Sequence, residues 1–167
     1  MDNPKNWYVL YTKSRVEKRV YDELKEIGLD AYLPMRKTLK LWSDRKKWVY
    51  IPVINSYVFV YIPQSDYSRV FDVKGVVAYV SANKKAVVVP EHEMKAMQQA
   101  VNSNLSFNVE ADAVQKGQTI TITTGPLKGI TGEVVEIQGA KKFYLRISHI
   151  GYMLVIDLNE DDANKSE

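Results

Sequence analysis

The 167-residue chain contains no cysteine, which excludes disulfides, thiolate zinc sites and cysteine nucleophiles. Histidine occurs only at His92 and His149. Neither has a second ligand-forming residue at metal-ligand spacing, and both read as surface residues. No uncharged apolar run reaches the ~18–20 residues of a membrane helix, and the opening Met1-Asp2-Asn3-Pro4-Lys5-Asn6-Trp7 has no signal-like apolar stretch. Nucleophile-elbow, P-loop and dinucleotide fingerprints are missing. These absences predict a cytoplasmic protein without membrane association, enzymatic activity, metal or cofactor.

What is present is an ordinary globular composition, 46% hydrophobic and 26% charged, at a length suited to one or two domains. The net charge of +3 conceals an asymmetry. Residues 1–90 carry 16 Lys and Arg against 9 Asp and Glu, a net +7, whereas residues 91–167 carry 7 against 11, a net −4. A basic front and an acidic back predict a polyanion near the first part and a different partner for the second.

Trp7 to Thr12 has strand propensity. Ser14 stands where an N-cap would, Val16, Val20, Leu24 and Ile27 recur at helical spacing, and Gly28 suits a C-cap. The pattern predicts an amphipathic helix of about four turns. Ala31–Leu41 and Lys47–Pro52 read as two strands around Ser43-Asp44-Arg45-Lys46. This hairpin holds Arg36, Lys37, Lys40, Arg45, Lys46 and Lys47, interleaved with Trp42 and Trp48. Lys37, Lys40, Arg45, Lys46 and Lys47 suit phosphate neutralisation, and a tryptophan can stack on an unpaired base.

Tyr57–Ile62 is the clearest strand, with Tyr57, Phe59 and Tyr61 on one face and Val58, Val60 and Ile62 on the other. The Trp7/Val9/Tyr11 and Tyr57/Phe59/Tyr61 faces are expected to abut. With the aliphatic face against helices, the aromatic face is either core, covered by the second domain, or a docking patch. Further elements are a short helix over Ser65–Val73, a strand over Val76–Val80 and a helix over Glu91–Val101 opened by Pro90. The fold class expected for the first part is α+β, with helices on a largely antiparallel sheet. Residues 103–113 read as a linker. Thereafter Gln118–Thr124, Gly132–Gln138, Lys142–Ile147 and Met153–Leu158 predict a small all-β barrel, with Gly125 and Gly129 in a tight connection.

Trp7-Tyr8-Val9-Leu10-Tyr11-Thr12, followed by Glu17 and the helix, resembles the opening of NusG-type transcription elongation factors. Ser56-Tyr57-Val58-Phe59-Val60 is similar to that family's Gly/Asn-Tyr-x-Phe-Val strand, and Val73-Lys74-Gly75-Val76 and Val89-Pro90 with Glu93 also fit. Lys116-Gly117-Gln118 through Gly125-Pro126-Leu127-Lys128-Gly129-Ile130-Thr131-Gly132-Glu133-Val134 is similar to the KOW motif. Ala31-Tyr32-Leu33-Pro34-Met35 before a basic hairpin resembles the specialised paralogs of the RfaH and UpxY kind. The resemblance covers nearly the whole chain.

It implies an NGN domain over 1–102, a linker over 103–113, an SH3-like KOW barrel over 114–159 and a flexible tail over 160–167. The function implied is antitermination, through binding RNA polymerase during elongation, at operons such as polysaccharide loci. Tyr11, Tyr57 and Phe59 match the patch that grips the clamp helices of the polymerase large subunit. Asp66, Tyr67 and Ser68 fall where the family touches the gate loop. Lys13, Arg15, Arg19 and Lys74 match positions that face DNA near the transcription bubble. Ile150, Gly151, Tyr152 and Leu154 match the loop and strand that contact a small-subunit ribosomal protein or Rho. Tyr152 stands where the housekeeping factor usually has Arg, which argues against Rho, and Asn55 replaces the usual Pro. The chain is expected to be a monomer. The alternative is an RNA- or ribosome-binding KOW protein without polymerase binding, disfavoured by the acidic balance of residues 91–167.

Overall fold

The first apolar run becomes β1, Lys5–Thr12, the middle of an antiparallel sheet. The computed structural model describes residues 3–103, 105–112, 117–147 and 150–157, and the chain divides into two units, Met1–Val89 and Pro90–Glu167. In the first unit, β2 (Asp30–Tyr32), β5 (Tyr57–Pro63), β1 and β6 (Val76–Tyr79) lie in the order β2-β5-β1-β6. A two-residue strand, β9 (Val88–Val89), also pairs with β1, beside Trp7 and Tyr8.

Strand alternation decides what the first helix buries. Leu10, Val58, Val60 and Ile62 join Val20 and Leu24 in one core cluster, and the helix is α1 (Glu17–Glu26). Its C-terminus closes as expected: Gly28 takes a positive φ, its N–H donates to the Lys25 carbonyl at 3.0 Å, and the Leu29 N–H donates to that of Leu24 at 3.0 Å. Its N-terminus does not. Arg15 adopts a left-handed φ of 66°, Val16 occupies the cap position, and no side chain among the described residues caps the helix. Ser14 is therefore no N-cap, and α1 has ten residues rather than four turns.

The expected strand Ala31–Leu41 is split in two. Leu33 and Pro34 separate β2 from β3 (Met35–Leu41), and the Pro34 carbonyl accepts the Val53 N–H at 2.8 Å. Here the chain leaves the main sheet, because β3 pairs instead with β4 (Lys46–Pro52) as a separate two-stranded ribbon. The helix expected over Ser65–Val73 is two 3-10 turns, Gln64–Asp66 and Arg69–Asp72. A minute hairpin, β7 (Ser81–Ala82) and β8 (Lys85–Ala86), turns at Asn83 and Lys84, both at positive φ.

The second unit opens with α2 (Glu91–Asn102), which follows Pro90 and buries Met94, Met97 and Ala100. Five strands follow: β10 (Phe107–Ala111), β11 (Gln118–Thr121), β12 (Thr131–Ile137), β13 (Ala140–Ile147) and β14 (Tyr152–Asp157). They form an antiparallel sheet ordered β10-β14-β13-β12-β11. Gly125 and Gly129, both at positive φ, shape the 122–130 connection, where the Gly129 N–H donates to the Ile122 carbonyl at 2.7 Å.

Two boundaries differ from the sequence reading. The 103–113 segment contains β10, registered from Phe107 opposite Ile156 to Ala111 opposite Tyr152. The units divide before α2, which sequence placed with the first domain. The polar surroundings of Phe107 and Val109 mask a strand whose ladder is supplied by β14. His149, Lys116 and the 160–167 tail lie outside the described residues.

Candidate interaction surfaces

The β1–β5 register sets Trp7 opposite Tyr61, Val9 opposite Phe59 and Tyr11 opposite Tyr57. The two aromatic faces therefore abut, as the alternation predicts. Trp7 stacks on Tyr61 with centroids 5.0 Å apart, and Tyr11 meets Tyr57 edge-on at 6.3 Å. Tyr32 extends the row, 6.3 Å from Phe59 and 6.5 Å from Trp7. Exposure is uneven along it. Tyr11 is 47% exposed, Tyr57 is half-buried, and Phe59 is fully buried. The row thus reaches solvent at its Tyr11 end, and Phe59 is a core residue rather than part of an exposed patch.

Beyond Tyr11 three loops are knitted together at the same end of the sheet. The Thr12 N–H donates to the Ser56 carbonyl at 2.8 Å, and the Lys13 N–H to that of Gly75 at 2.9 Å. Glu17, buried at the start of α1, accepts the Ser56 N–H at 2.9 Å and the Arg15 N–H at 3.3 Å through one carboxylate oxygen. Arg19 donates to the Lys74 carbonyl at 3.5 Å. Lys13, Arg15, Arg19 and Lys74 are all exposed here. Residues far apart in sequence form one basic end, and Glu17 is the tie that composition alone does not reveal.

The β3–β4 ribbon carries the second basic group. Lys37, Lys40, Arg45, Lys46 and Lys47 are exposed. The Lys37 ammonium lies 5.1 Å from the Trp48 ring centre, and the Arg45 guanidinium 4.9 Å from that of Trp42. Leu39, Leu41, Trp42, Trp48 and Tyr50 are exposed as well; of these, the sequence reading singled out only the tryptophans.

The family model described as "Transcription termination factor nusG" matches residues 5–98, more than half of the chain. The chain belongs to the NusG family. Over 186 residues it is 25% identical to the "Transcription termination/antitermination protein NusG" of Rickettsia prowazekii, covering 99% of this chain and 93% of that protein. The protein of the same name from Rickettsia bellii is 21% identical over 175 residues, covering 98% and 91%. A solved structure described as "Domain interaction in Thermotoga maritima NusG" matches with a TM-score of 0.55 at 20% identity, over 95% of each chain. This NusG-family chain is a transcription factor and not an enzyme.

The remaining residues that the NusG resemblance singles out are unequally available. Asp66 pairs with Arg69 at 3.2 Å. The Tyr67 ring stacks on Tyr79 at 4.0 Å, and its carbonyl accepts the Tyr79 hydroxyl at 2.6 Å. Ser68 is exposed, and so, unforeseen from sequence, is half of Phe71. In the second unit Leu154 is fully buried and Ile150 nearly so, whereas Gly151 is exposed and Tyr152 half-exposed. Arg146 bridges Glu133 and Asp112, tying β13 to β12 and to the end of β10. His92 is exposed. Among the described residues no cluster of three His, Cys, Asp or Glu suits a metal ion, and no helix is long and apolar enough to cross a membrane.

Proposed function

We propose that the chain binds RNA polymerase during elongation and suppresses pausing or termination, acting at particular operons such as polysaccharide loci. The observation that carries this reading is one end of the first unit's sheet, where exposed Tyr11 and half-buried Tyr57 adjoin Lys13, Arg15, Arg19 and Lys74. Exposed aromatics with few rotamers to freeze suit a protein hot spot, here the clamp helices of the large subunit. Cations beside them suit the phosphates of DNA near the transcription bubble. Ser68 is the accessible member of the gate-loop group. The second unit acts as a KOW domain and offers Gly151 and Tyr152 to a small-subunit ribosomal protein, without Rho.

Membership of the NusG family and the acidic balance of residues 91–167 both favour this over an RNA- or ribosome-binding protein that ignores polymerase. Purified core polymerase tests it directly. The full chain is expected to bind and to shorten pauses in a single-round elongation assay. A chain that binds ribosomes but neither binds polymerase nor alters elongation overturns the proposal.

A further inference from the structure

We propose that the second unit binds a free nucleotide in the cleft between α2 and the β12–β13 face, its phosphates on Lys95 and Lys128 and its ring on the apolar floor. None of the residues assigned above to polymerase or nucleic acid lines this cleft, and the inference does not depend on the polymerase reading. The cleft holds about 580 Å³, within the range of small-ligand sites.

Helical spacing makes one wall. His92, Lys95, Ala96 and Gln99 stand at i, i+3, i+4 and i+7 of α2, and all line the cleft. Gln99 pins this wall in place. Its side-chain amide donates to the Pro126 carbonyl at 2.9 Å and to the Lys128 carbonyl at 3.1 Å, holding α2 to the 122–130 connection. The opposite wall comes from β12 and β13, through Thr131, Leu145 and Ile147. Met97, Ile130, Leu145 and Ile147 are buried and give the cleft an apolar floor. Apolar walls within a folded unit ordinarily close on one another and leave few voids wider than a water. These stand apart by the space of a small ligand.

Charge and shape identify the occupant. Residues 91–167 are net −4, yet the cleft is lined by Lys95, Lys128 and Arg146 against Glu93 and Glu133, a net +1. Arg146 and Glu133 are paired with each other, so Lys95 and Lys128 are the lysines that face a ligand, with His92 one turn before Lys95. Lys95 also lies 3.5 Å from Glu91, but both side chains are more than half exposed, and such a contact is worth little. Gln99 follows Lys95 by one turn and bonds to the Lys128 backbone, which brings the two lysines to the same end of the cleft. Two cations so placed favour an anion beside them. A phosphate supplies the anion and a flat ring fills the floor; a nucleotide carries both. An inorganic anion leaves the floor empty, and an uncharged ring leaves the lysines without a counter-charge in the cleft.

The test uses the full chain and isothermal titration calorimetry with ADP, GDP, CDP and UDP, with adenosine and inorganic phosphate as comparisons. At least one diphosphate is expected to bind, with adenosine and phosphate each about tenfold weaker or more. Since the ligand touches both α2 and the sheet, it is expected to raise the melting temperature. Lys95→Ala and Lys128→Ala, both at exposed positions, are each expected to weaken binding about threefold to fivefold, and the double variant about tenfold. Thr131→Trp, at an exposed position on β12, fills the cleft while keeping both lysines and is expected to abolish binding. Joint replacement of Arg45, Lys46 and Lys47 with Ala is expected to leave nucleotide binding unchanged.

Absence of binding by all four diphosphates at millimolar concentration overturns the proposal. So do lysine variants that bind like wild type, and so does phosphate alone binding as tightly as the diphosphates. Loss of binding in the Arg45, Lys46 and Lys47 variant, with the lysine variants of the cleft unaffected, places the nucleotide on the ribbon and overturns it as well. Binding to core polymerase is measured alongside, and its absence with nucleotide binding intact defeats the proposed function alone.

Discussion

The buried Glu17 carboxylate accepts the backbone N–H of Ser56 at 2.9 Å, joining the start of α1 to the residue before β5. The same oxygen accepts the Arg15 N–H, and both Arg15 and Ser56 sit at left-handed φ values, 66° and 65°. Neither is glycine, so each conformation carries a local cost that the surrounding hydrogen bonds offset. Glu17→Ala leaves two N–H groups without their acceptor and is expected to cost about 2 kcal/mol in urea unfolding. Glu17→Gln keeps a carbonyl acceptor and is expected to cost less. The alanine variant is also expected to weaken polymerase-dependent DNA contact, because the Lys13–Arg15 loop loses its anchor.

Tyr11 and Phe59 lie on neighbouring strands and separate cleanly by burial. Tyr11→Ala removes an exposed ring and is expected to leave the melting curve within experimental error of wild type while reducing affinity for core polymerase about thirtyfold. Phe59→Ala empties a fully buried site and is expected to cost about 3–5 kcal/mol of stability. Binding and thermal melting are measured on the same preparations. A Tyr11→Ala variant that is folded and binds polymerase like wild type removes the aromatic end from the proposed attachment.

The Tyr32 hydroxyl is buried and has no hydrogen-bond partner among the described residues, and burial pushes its pKa up to about 12. Tyr32→Phe removes that unsatisfied group and is expected to raise stability by about 1 kcal/mol. The folded pKa lies above the unfolded value near 10, so the fold holds this proton when the unfolded chain releases it. The contribution is whole below about pH 10 and is lost as pH climbs toward 12. Tyr79 is shifted upward as well, chiefly by desolvation, so Tyr32→Phe is expected to shallow the alkaline decline without abolishing it. Denaturant midpoints measured from pH 8 upward read the effect.

Replacing Arg45, Lys46 and Lys47 together with Ala is expected to leave the fold intact, since all three are exposed on a ribbon whose strands, among the described residues, pair only with each other. Binding to a reconstituted elongation complex is expected to weaken, and the slope of log affinity against log salt to fall by about 0.7–0.9 for each phosphate no longer neutralised. An unchanged slope removes these residues from the nucleic-acid surface.

Much of this architecture is legible in the amino-acid order because it is periodic or local. Alternation in Trp7–Thr12 and Tyr57–Ile62 fixes which side chains share a face, hence the pairing of Trp7 with Tyr61 and Tyr11 with Tyr57. Gly28 closes α1 through backbone geometry that only its neighbours supply. The basic hairpin and four of the five strands of the second unit are likewise visible as short runs between turn residues. Periodicity names the members of a face; it does not say which part of the face packing will cover. That is why Phe59, Ile150 and Leu154 read as contact residues and prove buried, while Leu39, Leu41 and Tyr50 read as strand filler and prove exposed. Strand β10 and the Glu17 tie were hidden for a related reason: each exists through a partner distant in sequence, β14 for the one and Ser56 for the other. Sequence alone determined most of the strands, the C-terminal stop of α1 and which side chains share a strand face. The tertiary structure decided which rings and cations meet solvent together, because exposure depends on every segment that packs nearby and not on the residue's own strand.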